Sequence, residues 1–527
     1  MTSLRICIIY GLIHFCTSLM HNIFVVYHVY VFVSCFGLSK LSFWTSEFLF
    51  LLWNAINDPI FGWLLDKKIL RQQMSNQVIA HERARFISIC GPFLGLAFLS
   101  TWFPHWLPNF PGLRFVIVLC TYDTALTLVE LMKSSLLADL AVSQVDRSRL
   151  GSAASVGNAL SVNGLVVVSW CVGGGAELSL IDQPFDVAET LSEKHSISNG
   201  FQACAVLITI FSAVGLFCGG LWLANMTDLT IGALSSSVDV HRKVTHSIPQ
   251  CTDHGFRFNN KAESQNIFVF LFDIISRPNF LAFCLMQAFQ VFHCHFNSNF
   301  FPLFSKLLLG PGHEKLISAI LGISFVLPHV NNVLLLKACD ACGTYAVIRG
   351  LFFVKVALGI VLLLSGPSNL PLLSVFLACN RVFSEGICKL LPQVISDLVD
   401  EDLVLSRRPQ PVSALVFGAT SLLSRPGQTA APLVGYLMLS HLTGKEMISS
   451  HLDVLPSPPS GMDLRTACFT LAWSVVIVVG VIQLLIWSRY QLHGVSLARI
   501  KRERLTLTEP SRSCVNCEHP SPLFMGI

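Results

Sequence analysis

Apolar runs of about 20 residues or more dominate the sequence, and short polar segments separate them. A helix of that length crosses roughly 30 Å of hydrocarbon. The pattern therefore predicts an all-α polytopic membrane protein with about twelve transmembrane helices in two six-helix halves. The predicted helices span 6–33, 44–65, 86–104, 114–138, 151–175 and 201–224 in the first half, and 280–305, 316–336, 345–365, 370–391, 411–440 and 467–487 in the second.

Polar segments divide the chain into four parts. Residues 1–224 form the N-terminal half, and 267–488 form the C-terminal half. Between them, 225–266 is a linker rich in Ser, His and Asn, and 489–527 is a polar tail. Lys and Arg are concentrated in the loops after even-numbered helices and in the tail, which predicts that the linker and both termini are cytosolic.

Composition narrows the class of protein. Charged residues make up 13% of the chain, about half the usual share of roughly 25% in soluble domains. The net charge of +4 gives no reason to expect a nucleic-acid partner. We expect membrane lipids and an unidentified small molecule as partners, a monomer, and no cofactor or metal. No phosphate-binding loop or nucleophile-elbow motif indicates an enzyme.

Charged residues inside the predicted helices are the main functional signal, because charge within a bilayer is costly. Asp58 in helix 2 and Glu130 in helix 4 are predicted to face one cavity. Two such carboxylates repel unless a cation or proton lies between them. The alternative is structural ion pairing, above all for an alternating stripe in helix 10. The intramembrane polar set is Asn54, Asn57, Asp58, Asp123, Glu130, Lys133, Arg381, Glu385, Lys389 and Arg425.

Helix 7 carries a run of amide and imidazole side chains that suits hydroxyl-rich or zwitterionic ligands. The predicted substrate-binding residues are Gln287, Gln290, His293 and Asn297, together with Lys133 of helix 4. The alternative is that these side chains form hydrogen bonds between helices.

Several motifs resemble one transporter family. WNAINDPIFGW at 53–63 resembles the helix 2 motif of the melibiose carrier and its relatives, the glycoside–pentoside–hexuronide:cation symporters. Asp66, Lys67 and Arg83 resemble the loop motif of the major facilitator superfamily, and RPG at 425–427 resembles the family's helix 11 segment. The passages 289–304 and 397–405 are similar to one vertebrate branch of this family.

The resemblance implies a major facilitator fold at the plasma membrane and a coupling ion, Na⁺ or H⁺. The family's cation site uses two helix 2 aspartates, a helix 4 carboxylate and a helix 11 lysine. Carried to this sequence, those positions are Asn54, Asp58, Glu130 and Arg425. Asn54 lacks one charge, and arginine keeps its proton where lysine could release it. Gating or structural roles are expected for Asp66, Lys67, Arg83, Arg381, Glu385 and Lys389.

The predicted function is a secondary active transporter, a cation- or proton-coupled symporter of a small organic solute that is sugar-like or lipid-like. It would work by alternating access of the two halves. The alternative is a receptor or scaffold that retains the fold without transporting, which the changes at Asn54 and Arg425 motivate.

Overall fold

The computed structural model describes residues 3–32, 36, 38–72, 76–103, 107, 110–141, 143–172, 199–244, 267–310, 312–408, 410–444 and 462–508. Within these ranges the chain forms helices and no strands. The helices are α1 Leu4–Tyr30, α2 Lys40–Gln72, α3 Asn76–Thr101, α4 Pro111–Leu140, α5 Gln144–Val172, α6 Asn199–Val244, α7 Ile267–Ile275, α8 Pro278–Leu309, α9 Glu314–Cys342, α10 Thr344–Ser365, α11 Leu370–Leu405, α12 Ser413–Thr443, α13 Leu464–Trp487 and α14 Gly494–Thr508.

Two sets of six long helices, α1–α6 and α8–α13, correspond in order to the predicted transmembrane helices. In the described part of the chain, nine helices are long and apolar enough to cross a bilayer. The bent pair of α7 and α8, which meet at 87°, raises the number to ten. Helices α5 and α12 have 29 and 31 residues but fall outside this set. The all-α polytopic class is thus confirmed, and twelve crossings stay a prediction.

The helix ends differ from the predicted ones where helix continues into polar sequence. Helix α2 extends to Gln72 and α6 extends to Val244, beyond the predicted ends at 65 and 224. Backbone hydrogen bonds continue a helix regardless of where its side chains stop being apolar. The rest of the predicted linker, 245–266, lies outside the described residues.

Each half has the same internal pairing of helices. Helix α1 packs on α5 and α3 on α6, and the equivalent pairs α8–α12 and α10–α13 recur in the second half. Small residues allow two of these pairs to approach closely. A Cβ at Gly157 would collide with the carbonyl of Gly11, and one at Gly427 with the carbonyl of Ala288. The repeated contact supports two six-helix halves of similar construction.

Two further helix pairs join the halves, α2 with α12 and α5 with α9. The first pair touches backbone to backbone. A Cβ added at Gly62 of α2 would lie 2.5 Å from the carbonyl oxygen of Ala414, and one at Gly418 of α12 would lie 2.5 Å from that of Asp58. This contact brings the polar side chains of α2 against α12.

Candidate functional site

An ion pair between the halves lies at the centre of the α2–α12 contact. The Nη2 and Nε atoms of Arg425 on α12 lie 2.6 Å and 3.2 Å from Oδ2 of Asp58 on α2. Arg425 also donates to Asn54, one turn before Asp58. The other carboxylate oxygen of Asp58 accepts a hydrogen bond of 3.0 Å from Thr127 on α4. Three helices from both halves therefore meet at a buried carboxylate.

A second carboxylate, Asp123 on α4, belongs to the same site. Asn57 donates from Nδ2 to Oδ2 of Asp123, and the same nitrogen lies 3.4 Å from Oγ1 of Thr127. The charges of Asp58 and Arg425 both act on Asp123. The family resemblance instead points to Glu130, two turns further along α4, for the helix 4 carboxylate. Seven-residue spacing puts both side chains on one helix face, and the packing of α2 on α4 selects Asp123.

The predicted placement of Glu130 opposite Asp58 is therefore corrected. Glu130 accepts a hydrogen bond of 2.6 Å from Nζ of Lys133, one turn along α4. The Glu130 side chain is 45% exposed, whereas that of Lys133 is buried. Tyr10 of α1 donates to the carbonyl oxygen of Lys133 at 3.0 Å. Glu130 and Lys133 form a separate polar pair on the inner surface of the first half.

The predicted substrate residues of helix 7, which is α8, are largely engaged inside the second half. Gln290 accepts hydrogen bonds from Gln483 of α13 at 2.9 Å and from Lys355 of α10 at 3.4 Å. It donates to the carbonyl of Ser384 on α11 at 2.8 Å. The hydroxyl of Ser384 lies 2.7 Å from Nδ1 of His293. For Gln290 and His293 the geometry favours the alternative of hydrogen bonding between helices.

Asn297, one turn beyond His293, has a different position. Its Oδ1 accepts a hydrogen bond of 3.1 Å from Asn380 of α11, and both residues line a small cavity. Gln287 is half-buried on the same helix. A contact with substrate stays a prediction for Asn297 and Gln287.

The three charged residues of the stripe on α11 differ in their surroundings. The guanidinium of Arg381 lies 5.4 Å from the centre of the Phe301 ring. Across the described residues, no ion pair joins Glu385 to Lys389, although they are one turn apart. The predicted alternating pairing is corrected at this step, and Lys389 is left half-buried within the membrane-spanning part of α11.

The predicted gating charges Asp66 and Arg83 form a closed network at one end of the bundle. Arg83 binds Asp66 at 2.9 Å and Asp139 at 2.6 Å. Both carboxylates also accept hydrogen bonds from the start of α12. Asp66 accepts one from the backbone N–H of Leu415 at 2.8 Å, and Asp139 accepts one from Ser413 at 2.7 Å. Acidic groups are favourable at a helix N-terminus, so this network ties the first half to the second.

Lys67, the third residue of the predicted loop motif, contacts a ring of its own helix. Its ammonium lies 5.9 Å from the centre of the Trp63 ring, one turn earlier on α2. A lysine over an indole gains a cation–π attraction.

A second network at the same end includes the tail. Arg147 of α5 binds Asp397 at 2.5 Å and Asp400 at 2.8 Å, both on α11. From α14, Lys501 binds Asp397 at 3.0 Å, and Arg504 binds Asp400. Burial lowers the pKa of Arg504 to about 10. We call the end that carries these two networks, around Asp66 and Asp400, the tail-side face.

Sequence reasoning missed the role of the tail. From its sequence the segment around α14 is only part of a polar tail rich in Lys and Arg. Instead Arg504 is fully buried, and it also donates to the carbonyl of Ala138 on α4 at 3.2 Å. Its partners lie more than a hundred residues away in sequence, so local pattern could not reveal them.

Comparison with known proteins agrees with the fold and the motifs. A family model described as MFS/sugar transport protein matches residues 9–227. The chain is 38% identical to transmembrane protein 180 of Mus musculus over 529 residues, covering 96% of each protein. It is 38% identical to the Gallus gallus protein of that name over 524 residues, covering 95% of each.

Solved structures of three transporters share the fold. An outward-facing bacterial homologue of the iron transporter ferroportin matches with a TM-score of 0.56 and 10% sequence identity, covering 92% of this chain and 98% of that one. FucP in the outward conformation matches with a TM-score of 0.51 and 12% identity, covering 91% of this chain and 98% of that one. The proton:xylose symporter XylE matches with a TM-score of 0.53 and 13% identity, covering 94% of this chain and 97% of that one. The near full-length matches confirm the resemblance based on 53–63, 289–304 and 397–405. The chain belongs to the melibiose-carrier-like family of major facilitator transporters, in the branch of the transmembrane protein 180 relatives.

Proposed function

We propose that this protein is a secondary active transporter that couples movement of a small organic solute to one monovalent cation or proton. The observation that carries the proposal is the Asp58–Arg425 ion pair, which joins the two halves within the predicted transmembrane helices 2 and 11. A charge there is expensive to keep unless it has a function. A pair whose partners lie on different halves changes whenever the halves move.

The charge balance of the site calls for a cation. Two carboxylates, Asp58 and Asp123, and one guanidinium, Arg425, leave one negative charge when all are ionised. One Na⁺ or one proton restores neutrality, and a proton would go to a carboxylate because Arg425 keeps its own. Asp123 supplies the second carboxylate that is missing at the position of Asn54. The loss of that charge, one of the two reasons for the receptor or scaffold alternative, is therefore compensated.

A cation at this site would compete with Arg425 for Asp58. The oxygen atoms around Asp58 come from Asn54, Thr127 and Asp123, and hard cations prefer such ligands. Release of Arg425 loosens the α2–α12 contact. Asp66 lies eight residues further along α2, about 12 Å away, so the cation site and the tail-side face lie on one continuous helix.

The distribution of Lys and Arg orients the tail-side face toward the cytosol. Its networks close that end by joining α2, α4 and α5 of the first half to α11 and α12 of the second. In an alternating-access cycle, a helix bundle that is closed at its cytosolic end is in the outward-facing state. The outward states of the ferroportin homologue and of FucP are in keeping with it.

The test measures the cation response of the purified full-length protein in detergent. Thermal unfolding is followed in NaCl against choline chloride at equal ionic strength, and across pH of about 5 to 8. We expect Na⁺ or protons to stabilise the wild type, and Asp58→Asn to abolish that response. The control, Asp402→Asn, changes a buried carboxylate whose partners Arg277 and Arg408 lie in the same half.

Two results would contradict coupling. One is an Asp58→Asn protein that responds to the cation as strongly as the wild type does. The other is a wild type whose stability depends on neither Na⁺ nor pH.

A further inference from the structure

A second polar region lies between the halves, away from the cation site. On α5, Ser155 and Asn158 are one turn apart. Ser155 accepts a hydrogen bond of 2.5 Å from Asn332 of α9, and Asn158 accepts one of 2.7 Å from Ser18 of α1. Helix α5 thereby holds the polar face of α1 close to that of α9, on the other half.

Next to these bonds lie nitrogen atoms without partners. Nε2 of His14, Nδ1 of His329 and Nδ2 of Asn331 are buried and lack a hydrogen bond within the described ranges. His14 lies one turn before Ser18 on α1, and the other two precede Asn332 on α9, by three residues and by one. A neutral amide nitrogen can only donate, and an imidazole nitrogen can do so in one tautomer. Buried donors of this kind are costly unless a ligand or water satisfies them.

A lysine from a third helix completes the cluster. Asn331 packs against Gly386 of α11, where an added Cβ would lie 3.0 Å from its Nδ2, and Lys389 follows one turn later. The charge of Lys389 acts on both His14 and His329. Within the described part of the chain Lys389 has no ion pair. We call His14, His329, Asn331 and Lys389 the donor cluster.

Among the described residues, neither of the neighbouring acids, Glu130 and Glu385, forms an ion pair with Lys389. Glu130 binds Lys133 at 2.6 Å. The charge of Glu385, one turn before Lys389, acts on Arg381 and His295. Within the described ranges Lys389 is thus half-buried without an ion-pair partner, and an anionic group bound there would compensate its charge.

We infer that the transported solute carries an anionic oxygen group, a carboxylate or a phosphate, that binds the donor cluster. Lys389 supplies the charge, while Asn331 and the two imidazoles supply directed hydrogen bonds; such charge-assisted bonds are the stronger kind. Since α1 belongs to one half and α9 and α11 to the other, this group would be held by both halves. The inference rests on the proposed function and names the substrate class.

The probes are acetate and inorganic phosphate, each as the sodium salt, compared with NaCl at equal ionic strength and pH 7. Thermal unfolding of the purified full-length protein is measured against probe concentration. We expect at least one oxyanion to stabilise the wild type, with Lys389→Met weakening its apparent affinity about tenfold or more, as loss of a charge-assisted bond does. The stronger of the two probes distinguishes a carboxylate from a phosphate substrate.

Controls separate the donor cluster from charge in general. Lys337→Met removes an exposed lysine from α9 and should leave the response unchanged. Lys389→Arg should retain the response to the oxyanion. Asn331→Leu removes no charge and should weaken that response. It serves as the test if Lys389→Met does not fold.

The inference is overturned if neither oxyanion stabilises the wild type beyond chloride. It is also overturned if Lys389→Met and Asn331→Leu respond as the wild type does. If the Na⁺ or proton response persists in the same preparations, the inferred substrate class is wrong and the coupling proposal still holds.

Discussion

Two of the helix pairs that join the halves, α2–α12 and α5–α9, differ in how they are held together. The first carries the ion pair of Asp58 and Arg425, in helices predicted to cross the membrane. The second carries a neutral hydrogen bond of 2.5 Å between Asn332 and Ser155, and a bond of 2.5 Å from Ser148 to Asp340, two turns further along α9. Asp340 is exposed, whereas Asp58 is buried and paired with a cation. We therefore expect the response to a competing cation on the α2–α12 side.

The two helix pairs also differ in how closely their backbones approach each other. At Gly62 on α2, an added Cβ would meet the carbonyl of Ala414, and backbone cannot move aside easily. At Gly151 on α5, the nearest atom is Cδ1 of Leu336 at 3.2 Å, the end of a flexible side chain. The α2–α12 contact is therefore the more tightly fitted of the two.

The largest expected effect comes from Arg425→Met. The variant leaves two carboxylates uncompensated, and breaking a buried pair costs about 3–5 kcal/mol. We expect a strongly lowered melting temperature of the purified protein. The double variant Arg425→Met/Asp58→Asn should recover much of the loss because it removes the stranded charge. A double variant as unstable as the single one would argue against a paired site.

Arg504→Ala should come next, since it removes a fully buried guanidinium from the tail-side face. We expect faster hydrogen exchange in α14 and in α11 near Asp400, measured by mass spectrometry. Arg499→Ala is the matched control on the same helix, because Arg499 is 78% exposed and pairs only with Glu503, one turn away. Equal exchange in the two variants would mean that the tail does not hold this face closed.

Gly62→Ala and Gly151→Ala compare the fit of the two pairs directly. Overpacking against backbone costs about 1–3 kcal/mol, so Gly62→Ala should lower thermal stability clearly. Gly151→Ala should change it little, because Leu336 can adopt another rotamer. Reversal of this order would contradict the view that α2–α12 is the tighter contact.

The smallest effect is expected from Ser155→Ala. Hydrogen bonds between membrane helices contribute about 0.6 kcal/mol on average, and up to about 2. The variant should lose that much stability, measured by thermal unfolding, while its response to Na⁺ or pH stays that of the wild type. A lost cation response would place ion sensitivity on both sides.

Sequence pattern was sufficient for the helices and for part of the site. Run length located the long helices, and the motifs at 53–63 and 425–427 led to Asp58 and Arg425. Pattern could not show whether Asp123 or Glu130 lies beside Asp58, because both are on one face of α4. The packing of α2 on α4 determines which of the two is near. Nor could it show that Gln290 is engaged by Lys355 and Gln483, whose helices are distant in sequence.

The most direct test of the account compares Asp123→Asn with Glu130→Gln in the cation-dependent unfolding assay. The account predicts that Asp123→Asn loses the Na⁺ or proton response, because the site then has no net negative charge to neutralise. Glu130→Gln should retain the response, since Glu130 pairs with Lys133. If Glu130→Gln loses the response and Asp123→Asn keeps it, the proposed cation site is wrong.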